Sequence, residues 1–262
     1  MSIKSIIIII SAVAIGSIGF WIFSNPESQQ LQTTDSRSQV VVDTQNQSEV
    51  DDMPVAEDFL SLQPTLKTLP YEPLSEVETA GLLYTREEEK LARDVYLTLY
   101  DTWNLQIFSN IAQSEQTHTE SVRDLLEKYD IADPVTDDTI GMFANDELQQ
   151  LYDKLVERGN TSLEEALAVG AFIEDLDIYD LQQEISKTNN QDITLVYENL
   201  MRGSRNHMRS FISQLTQRGK NYTPQYITQA EFDTIIAADQ ERGSGHSRGN
   251  ENRGGGQGQL IQ

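Results

Sequence analysis

QIFSNIAQSEQTHTESVRDLLEKY, residues 106–129, decides how the chain is to be read. Phe108, Ile111, Val122, Leu125 and Leu126 recur at helical spacing, which predicts an amphipathic helix from about Gln106 to Tyr129, ended before Pro134. Glu115 and His118 stand three residues apart on the same face as Ile111 and Val122. An acid and an imidazole on a buried apolar face are costly unless they are paired or bound to a metal. The helix therefore builds a core and carries ligand atoms into it.

Outward from this segment the pattern stays helical. Ser75 with Glu78 forms a capping box, and Leu82, Leu83, Leu91, Val95, Leu99 and Tyr100 follow at helical spacing up to the Trp103-Asn104 break. On the other side a shorter helix is expected from about Asn145 to Glu157, stopped by Gly159. Ser162 with Glu165 reads as a second capping box, opening a third long helix through Leu167, Phe172, Ile173, Leu176 and Leu181 to about Lys187. A fourth begins near Asp192 and carries Val196, Leu200, Phe211 and Leu215 to Gly219, and a last short helix covers Gln229 to Ala237. No alternating strand and no Gly-rich phosphate loop interrupts them. The expectation is an all-α four-helix bundle over residues 71–241, with a crossover connection that carries a short extra helix.

The ends read differently. Ile6 to Phe23 is an uncharged apolar run that would measure about 27 Å as a helix, and Lys4 precedes it. Residues 1–24 are therefore expected to be a transmembrane anchor or a signal sequence, with the bulk of the chain exported, membrane-tethered in the first case and secreted in the second. Residues 25–70 are rich in Gln, Ser, Thr and Asp and read as a disordered acidic linker, and 242–262 as a disordered Gly-rich tail in which His246 is solvated. The 262 residues include 19 Lys and Arg against 42 Asp and Glu, a formal net charge of −23. Such a balance excludes nucleic acid as a partner, because phosphate binding needs clustered bases. Cysteine is absent, so any metal must be held by carboxylate oxygen and imidazole nitrogen.

Each long helix offers such a ligand on its buried stripe. Glu89 is in line with Leu82, Ala92 and Tyr96, whereas Glu87 and Glu88 fall on other bearings and read as solvated. Glu174 and Asp177 are three apart on the third long helix, and His207 on the fourth has Leu200, Gly203 and Phe211 on its face. Two divalent ions carry about +4 charge, which needs roughly four carboxylates, while one imidazole per ion sets its geometry. Ligands of this kind suit two Fe ions, with Mn as the alternative, and leave positions open for dioxygen or peroxide.

The same residues carry a resemblance. Glu89-Lys90-Leu91-Ala92-Arg93, Glu115-Gln116-Thr117-His118 and the paired acids Glu174 and Asp177 look like the ligand motifs of rubrerythrins. From about Leu74 to Lys220, with EEEKLARDVY, IEDLDIYDL and GSRNHMRSF, the chain is similar to the ferritin-like family catalogued as domain of unknown function 2202. The resemblance implies a ferritin-like fold with a di-iron centre and brings no established reaction. One departure matters: where a full site has a carboxylate three residues before His207, Ser204 stands. Asp177 is expected to supply that oxygen, giving one ion Glu89, Glu115 and His118 and the other Glu174, Asp177 and His207, with Glu115 and Glu174 able to bridge. The functional expectation is a ferroxidase- or peroxidase-like redox protein using Fe(II) or another electron donor, with room for a homodimer. The competing expectation is a non-catalytic envelope binding or scaffold protein whose metal is structural or vestigial.

Overall fold

The computed structural model describes residues 63–242. Seven helices make up the described residues: α1 (Gln63–Leu66), α2 (Glu76–Trp103), α3 (Gln106–Lys128), α4 (Asp146–Gly159), α5 (Leu163–Ile185), α6 (Gln191–Gln217) and α7 (Gln229–Ala237). The fold is all-α, as the periodicity requires. None of these helices is long and apolar enough to cross a membrane. The expected anchor or signal sequence at Ile6–Phe23, most of the expected acidic linker and the Gly-rich tail lie outside the described residues.

Local chemistry sets where the helices begin and end. Ser75 accepts from the Glu78 backbone N–H while the Glu78 carboxylate accepts from the Ser75 backbone, so the first capping box is complete. The second is half formed. Ser162 accepts from the Glu165 N–H, but the Glu165 carboxylate turns away to the Arg158 guanidinium at 2.7 Å. Asn104 closes α2 in the left-handed region (φ 49°), which the short polar side chain of Asn tolerates. With only Asn104 and Leu105 between them, α2 and α3 must run antiparallel.

The four long helices pack as two pairs, α2 with α3 and α5 with α6, which face each other through α3 against α6 and α2 against α5. Tyr96 of α2 meets Glu174 of α5, and Tyr129 after α3 meets Asp192 of α6, so facing helices are antiparallel too. That direction forces the chain leaving α3 to travel back along the bundle before α5 can begin, and α4 lies in this crossover. Two apolar clusters result. One holds Leu91, Val95, Leu99, Phe108, Ile111, Met208 and Phe211, and the other Leu82, Val122, Leu125, Leu181, Val196 and Leu200. Between them lies a polar layer.

Two acids depart from the sequence reading, Glu87 covered by the crossover and Glu88 turned to the acids of α5. Glu87 and Glu88, expected at a solvated face, are buried at 5% and 6% exposure. Helical spacing marks the face turned to the other long helices, but it does not show that a later segment will cover the opposite face. Here Glu87 Oε1 accepts from the N–H groups of Ala144 and Asn145 at the start of α4, where a negative charge is favoured. Its neighbours anchor the same segment: Arg86 pairs with Asp133, and Arg93 with Asp94 and Asp138. Lys90, fully buried, donates to Asp94 at 2.5 Å and to the carbonyls of Thr139 and Met142. At the amino end the packed structure begins earlier than the linker reading has it. Leu66 is buried, and the Lys128 ammonium donates to the carbonyls of Leu66, Leu69 and Pro70.

Asp94 also accepts from the Gly141 N–H, so it joins α2 to the crossover from both sides. Replacing it with Ala leaves Lys90 charged, buried and without its carboxylate. Urea unfolding of Asp94→Ala is expected to show a loss of roughly 3–5 kcal/mol. A change within experimental error would mean that the crossover is held by its apolar contacts instead.

Candidate metal centre

In the polar layer five side chains from four helices converge. Glu89 comes from α2, Glu115 and His118 from α3, Glu174 from α5 and His207 from α6, and none is more than 4% exposed. Two triads form, Glu89 with Glu115 and His118, and Glu115 with Glu174 and His207, each offering ligand atoms within 4.8 Å of one another. Glu115 belongs to both. One of its oxygens lies 2.7 Å from His118 Nδ1 and the other 2.7 Å from His207 Nδ1. Glu89 is 3.3 Å from His118 Nδ1, and Glu174 is 3.5 Å from His207 Nδ1. The two imidazoles stack with ring centres 5.5 Å apart.

Asp177, expected as a ligand beside Glu174, stands outside both triads. Its Oδ2 accepts a short hydrogen bond from Ser204, the residue that occupies the position three before His207. The two departures are thus one contact: a hydroxyl on α6 draws the α5 carboxylate aside. The neighbouring bases Arg93 and Arg209 are engaged elsewhere, with Asp94, Asp138 and Gln116, and with Glu241, Asn206 and Ile235.

Electrostatics divides the metal-free site into charged pairs. Burial alone would lower the His207 imidazole, but the carboxylates of Glu115 and Glu174 outweigh it and hold the group at about 9. Burial opposed by Glu115 and Glu89 leaves His118 well above its ordinary value. Glu115 is raised by burial but pulled well below the usual carboxylate range by both imidazoles. Burial pushes the Glu89 carboxyl up to about 7 against the pull of His118. These pairs still leave atoms over. Glu89 Oε1 is buried with no hydrogen-bond partner, and His207 Nδ1, though 2.7 Å from Glu115, makes no aligned hydrogen bond. An unpartnered carboxylate oxygen and an imidazole nitrogen in one dry layer are a donor set that a metal ion satisfies.

Three residues without ligand atoms in the triads hold the ligands in place. Ser114 Oγ lies 3.0 Å from His207 Nε2, so with Nδ1 turned to the carboxylates the Nε2–H can donate to the hydroxyl and fix the tautomer. The Tyr96 hydroxyl donates to Glu174 Oε1 at 2.5 Å. Gly203 makes room for His118, since a Cβ there would lie 2.5 Å from both Cε1 and Nε2 of the ring. Helical spacing carried the signals for Tyr96 and Ser114. Tyr96 is two turns after Glu89, and Ser114 is one turn before His118. Gly203 is readable only as an inward position near His207; that it receives the ring of another helix is a tertiary fact.

Two measurements follow from this geometry. At neutral pH both imidazoles hold protons in the metal-free protein, and a ligating imidazole must be neutral, so metal displaces protons. Affinity is therefore expected to rise with pH between about 6 and 9, by up to about tenfold per pH unit for each proton displaced. Calorimetry in buffers of different ionisation enthalpy counts the protons, and a flat profile would contradict the assignment. Gly203→Ala improves intrinsic helix propensity yet crowds His118, so metal binding should weaken roughly 10–100-fold with helicity retained. Unchanged affinity would show that the ring has somewhere else to go.

Comparison with known proteins supports the same span. The model of the "Uncharacterized protein domain (DUF2202)" matches residues 78–239, which include all five converging side chains. The uncharacterized protein MJ0754 of Methanocaldococcus jannaschii is 60% identical over 178 residues, covering 68% of this chain and 96% of its own. A crystal structure of the hypothetical protein MJ0754 from Methanococcus jannaschii matches with a TM-score of 0.66 at 60% identity, covering 66% of this chain and 99% of that one. The chain belongs to the DUF2202 family.

Proposed function

We propose that the paired triads hold two iron ions, with manganese as the alternative, and that the protein is a ferritin-like di-iron carboxylate oxidoreductase of ferroxidase or peroxidase type. The observation that carries this reading is Glu115, a single buried carboxylate with one oxygen turned to each of two histidines. A bridging position of that kind has no use around one ion. When bound, a pair of iron ions supplies electrons to dioxygen or peroxide.

The chain's own residues supply the rest. Glu89 and His118 would hold one ion and Glu174 and His207 the other, with Glu115 between them. Tyr96 fixes one oxygen of Glu174, and Ser114 fixes the His207 ring. Tyr96, Phe108 and Phe211 form an aromatic layer beside the site, with ring centres 5.3–6.5 Å apart, which excludes water from that side. Water exclusion strengthens every charge interaction in the layer. The proposal extends to export and membrane tethering on the Ile6–Phe23 sequence alone.

Anaerobic Fe(II) titration is expected to bind about two ions per chain, with dioxygen consumed in proportion to bound iron on exposure to air. Glu115→Ala/His118→Ala should abolish both while the circular dichroism of the helices is kept. Binding of less than about one ion per chain, or iron bound without any oxygen uptake, would remove the redox reading. The second outcome favours a structural metal in a binding or scaffold protein.

A further inference from the structure

Packing beside the second triad is set by a side chain that is missing. Gly170 lies on α5 one turn before Glu174, and Phe211 on α6 one turn after His207. The short turn 186–190 makes these helices antiparallel, so glycine and ring stand opposite each other at the level next to the ligands. A Cβ on Gly170 would overlap Cε1, Cζ and Cδ1 of the Phe211 ring, the last at 2.6 Å. Glycine inside a helix is less stable than alanine, and here the absent methyl group is the room that the ring occupies.

From this notch the contacts lead to a ligand. Phe211 packs against Tyr96 with ring centres 5.3 Å apart and against Phe108 at 5.9 Å, and all three side chains are fully buried. In a close-packed layer Phe211 cannot leave its notch without displacing one of them. The Tyr96 hydroxyl lies 2.5 Å from Glu174 Oε1 and 3.4 Å from the Gly170 carbonyl, one turn earlier on the same helix. Its one proton goes to the nearer oxygen. That leaves Oε2, 3.5 Å from His207 Nδ1, as the Glu174 atom turned to the triad. Gly203 receives a ligand ring directly, whereas Gly170 acts on a ligand through Phe211 and Tyr96.

We propose that Gly170 and Phe211 are positioning residues for the second triad, a notch and a ring that hold Tyr96 against Glu174 and limit this carboxylate to one oxygen for the ion it shares with His207. The effect on metal rests on the dinuclear reading; the seating of the ring does not. A carboxylate with one oxygen committed to a phenol neither chelates through both oxygens nor bridges, so within the two triads bridging is left to Glu115. The two ions also become unequal. Glu174 is tied by Tyr96 and His207 by Ser114, so the second ion meets a ligand set already in place.

Mn(II) binding to the full chain by equilibrium dialysis, with NMR of ring-labelled histidine in the metal-free protein, tests this. In Gly170→Ala one of two ions is expected to bind roughly 10–100-fold more weakly while the other keeps its wild-type affinity. The His207 ring signals should shift more than those of His118. Phe211→Leu, which empties the notch and takes the ring off Tyr96, should have the same effects, and it replaces Gly170→Ala if that variant loses helicity. Gly170→Ala/Phe211→Leu refills the notch and should recover both affinity and signals, a recovery that general loosening of the bundle would not give. The proposal is overturned if the single variants leave the weaker-binding step and the His207 signals as in the wild type, or if the double variant is no better than either. A wild type that takes up no Mn(II) refutes the dinuclear reading instead. The metal-free His207 signals then decide: a shift in the single variants that the double variant reverses supports the notch, and unmoved signals overturn it.

Discussion

Glu115 lies 2.7 Å from an imidazole on each side, and on this shared carboxylate the middle layer of the bundle depends. Three carboxylates and two imidazoles displace apolar side chains at the point where a helical bundle would otherwise be most hydrophobic, and they divide its core into two clusters. The cost of such a layer is several kcal/mol per uncompensated charge. In the metal-free protein it is offset by pairing each imidazole with carboxylates, which is why both histidines are held above their ordinary values. The pairing leaves one acid more than the bases, and buried atoms without partners, so the layer is only partly satisfied by itself. A partly satisfied polar layer is worse than an apolar one unless it has a ligand.

Ligand atoms from four helices stay in register only if those helices cannot slide, and the outer face of α2 shows how sliding is prevented. Arg86, Glu87, Lys90, Arg93 and Asp94 all bind the crossover, so the helix that supplies Glu89 is fixed from behind by charged contacts and from in front by the core. At its amino end Glu78 accepts from Thr188 and Asn190 in the turn between α5 and α6, which links the two helix pairs. Positioning to a fraction of an ångström is what a ligand set requires, and it comes here from residues remote from the ligands.

Much of this was legible in the sequence, for reasons that also explain where legibility stopped. The long helices follow from apolar spacing and caps because those signals are local, and Glu115 and His118 were readable because both sit on an unmistakable buried stripe. Glu87 was misread because burial on the opposite side of α2 depends on a segment that begins some 40 residues later and leaves no mark in the periodicity of α2, and Glu88 because it meets the acids of α5, a tertiary contact. Asp177 shares the Glu174 face in a helical projection, yet a hydroxyl on α6 holds its carboxylate aside. No spacing rule for a single helix could show the choice between facing a metal and facing Ser204. The second capping box failed in the same way, through competition from Arg158.

Charge in this fold is sorted by direction. The bases of α2 face outward to the crossover, and Arg205 and Arg209 on α6 face outward to Glu241, while acids dominate the interior between α2, α3 and α5. Two divalent ions against Glu89, Glu115 and Glu174 would leave the ligand set about one charge positive, and Asp177, whose charge is felt by Glu89, Glu174 and Glu115, can help to balance it. With the triads empty, burial and repulsion from Glu89 hold the Asp177 carboxyl well above its ordinary range, so its negative charge develops only as a cation arrives. A charged anion approaching from the α5 side would be repelled, whereas a divalent cation would be drawn in and a small neutral oxidant would meet no barrier from the field. Dioxygen and hydrogen peroxide are both uncharged at neutral pH, so the field that concentrates the metal does not exclude the species proposed to react with it.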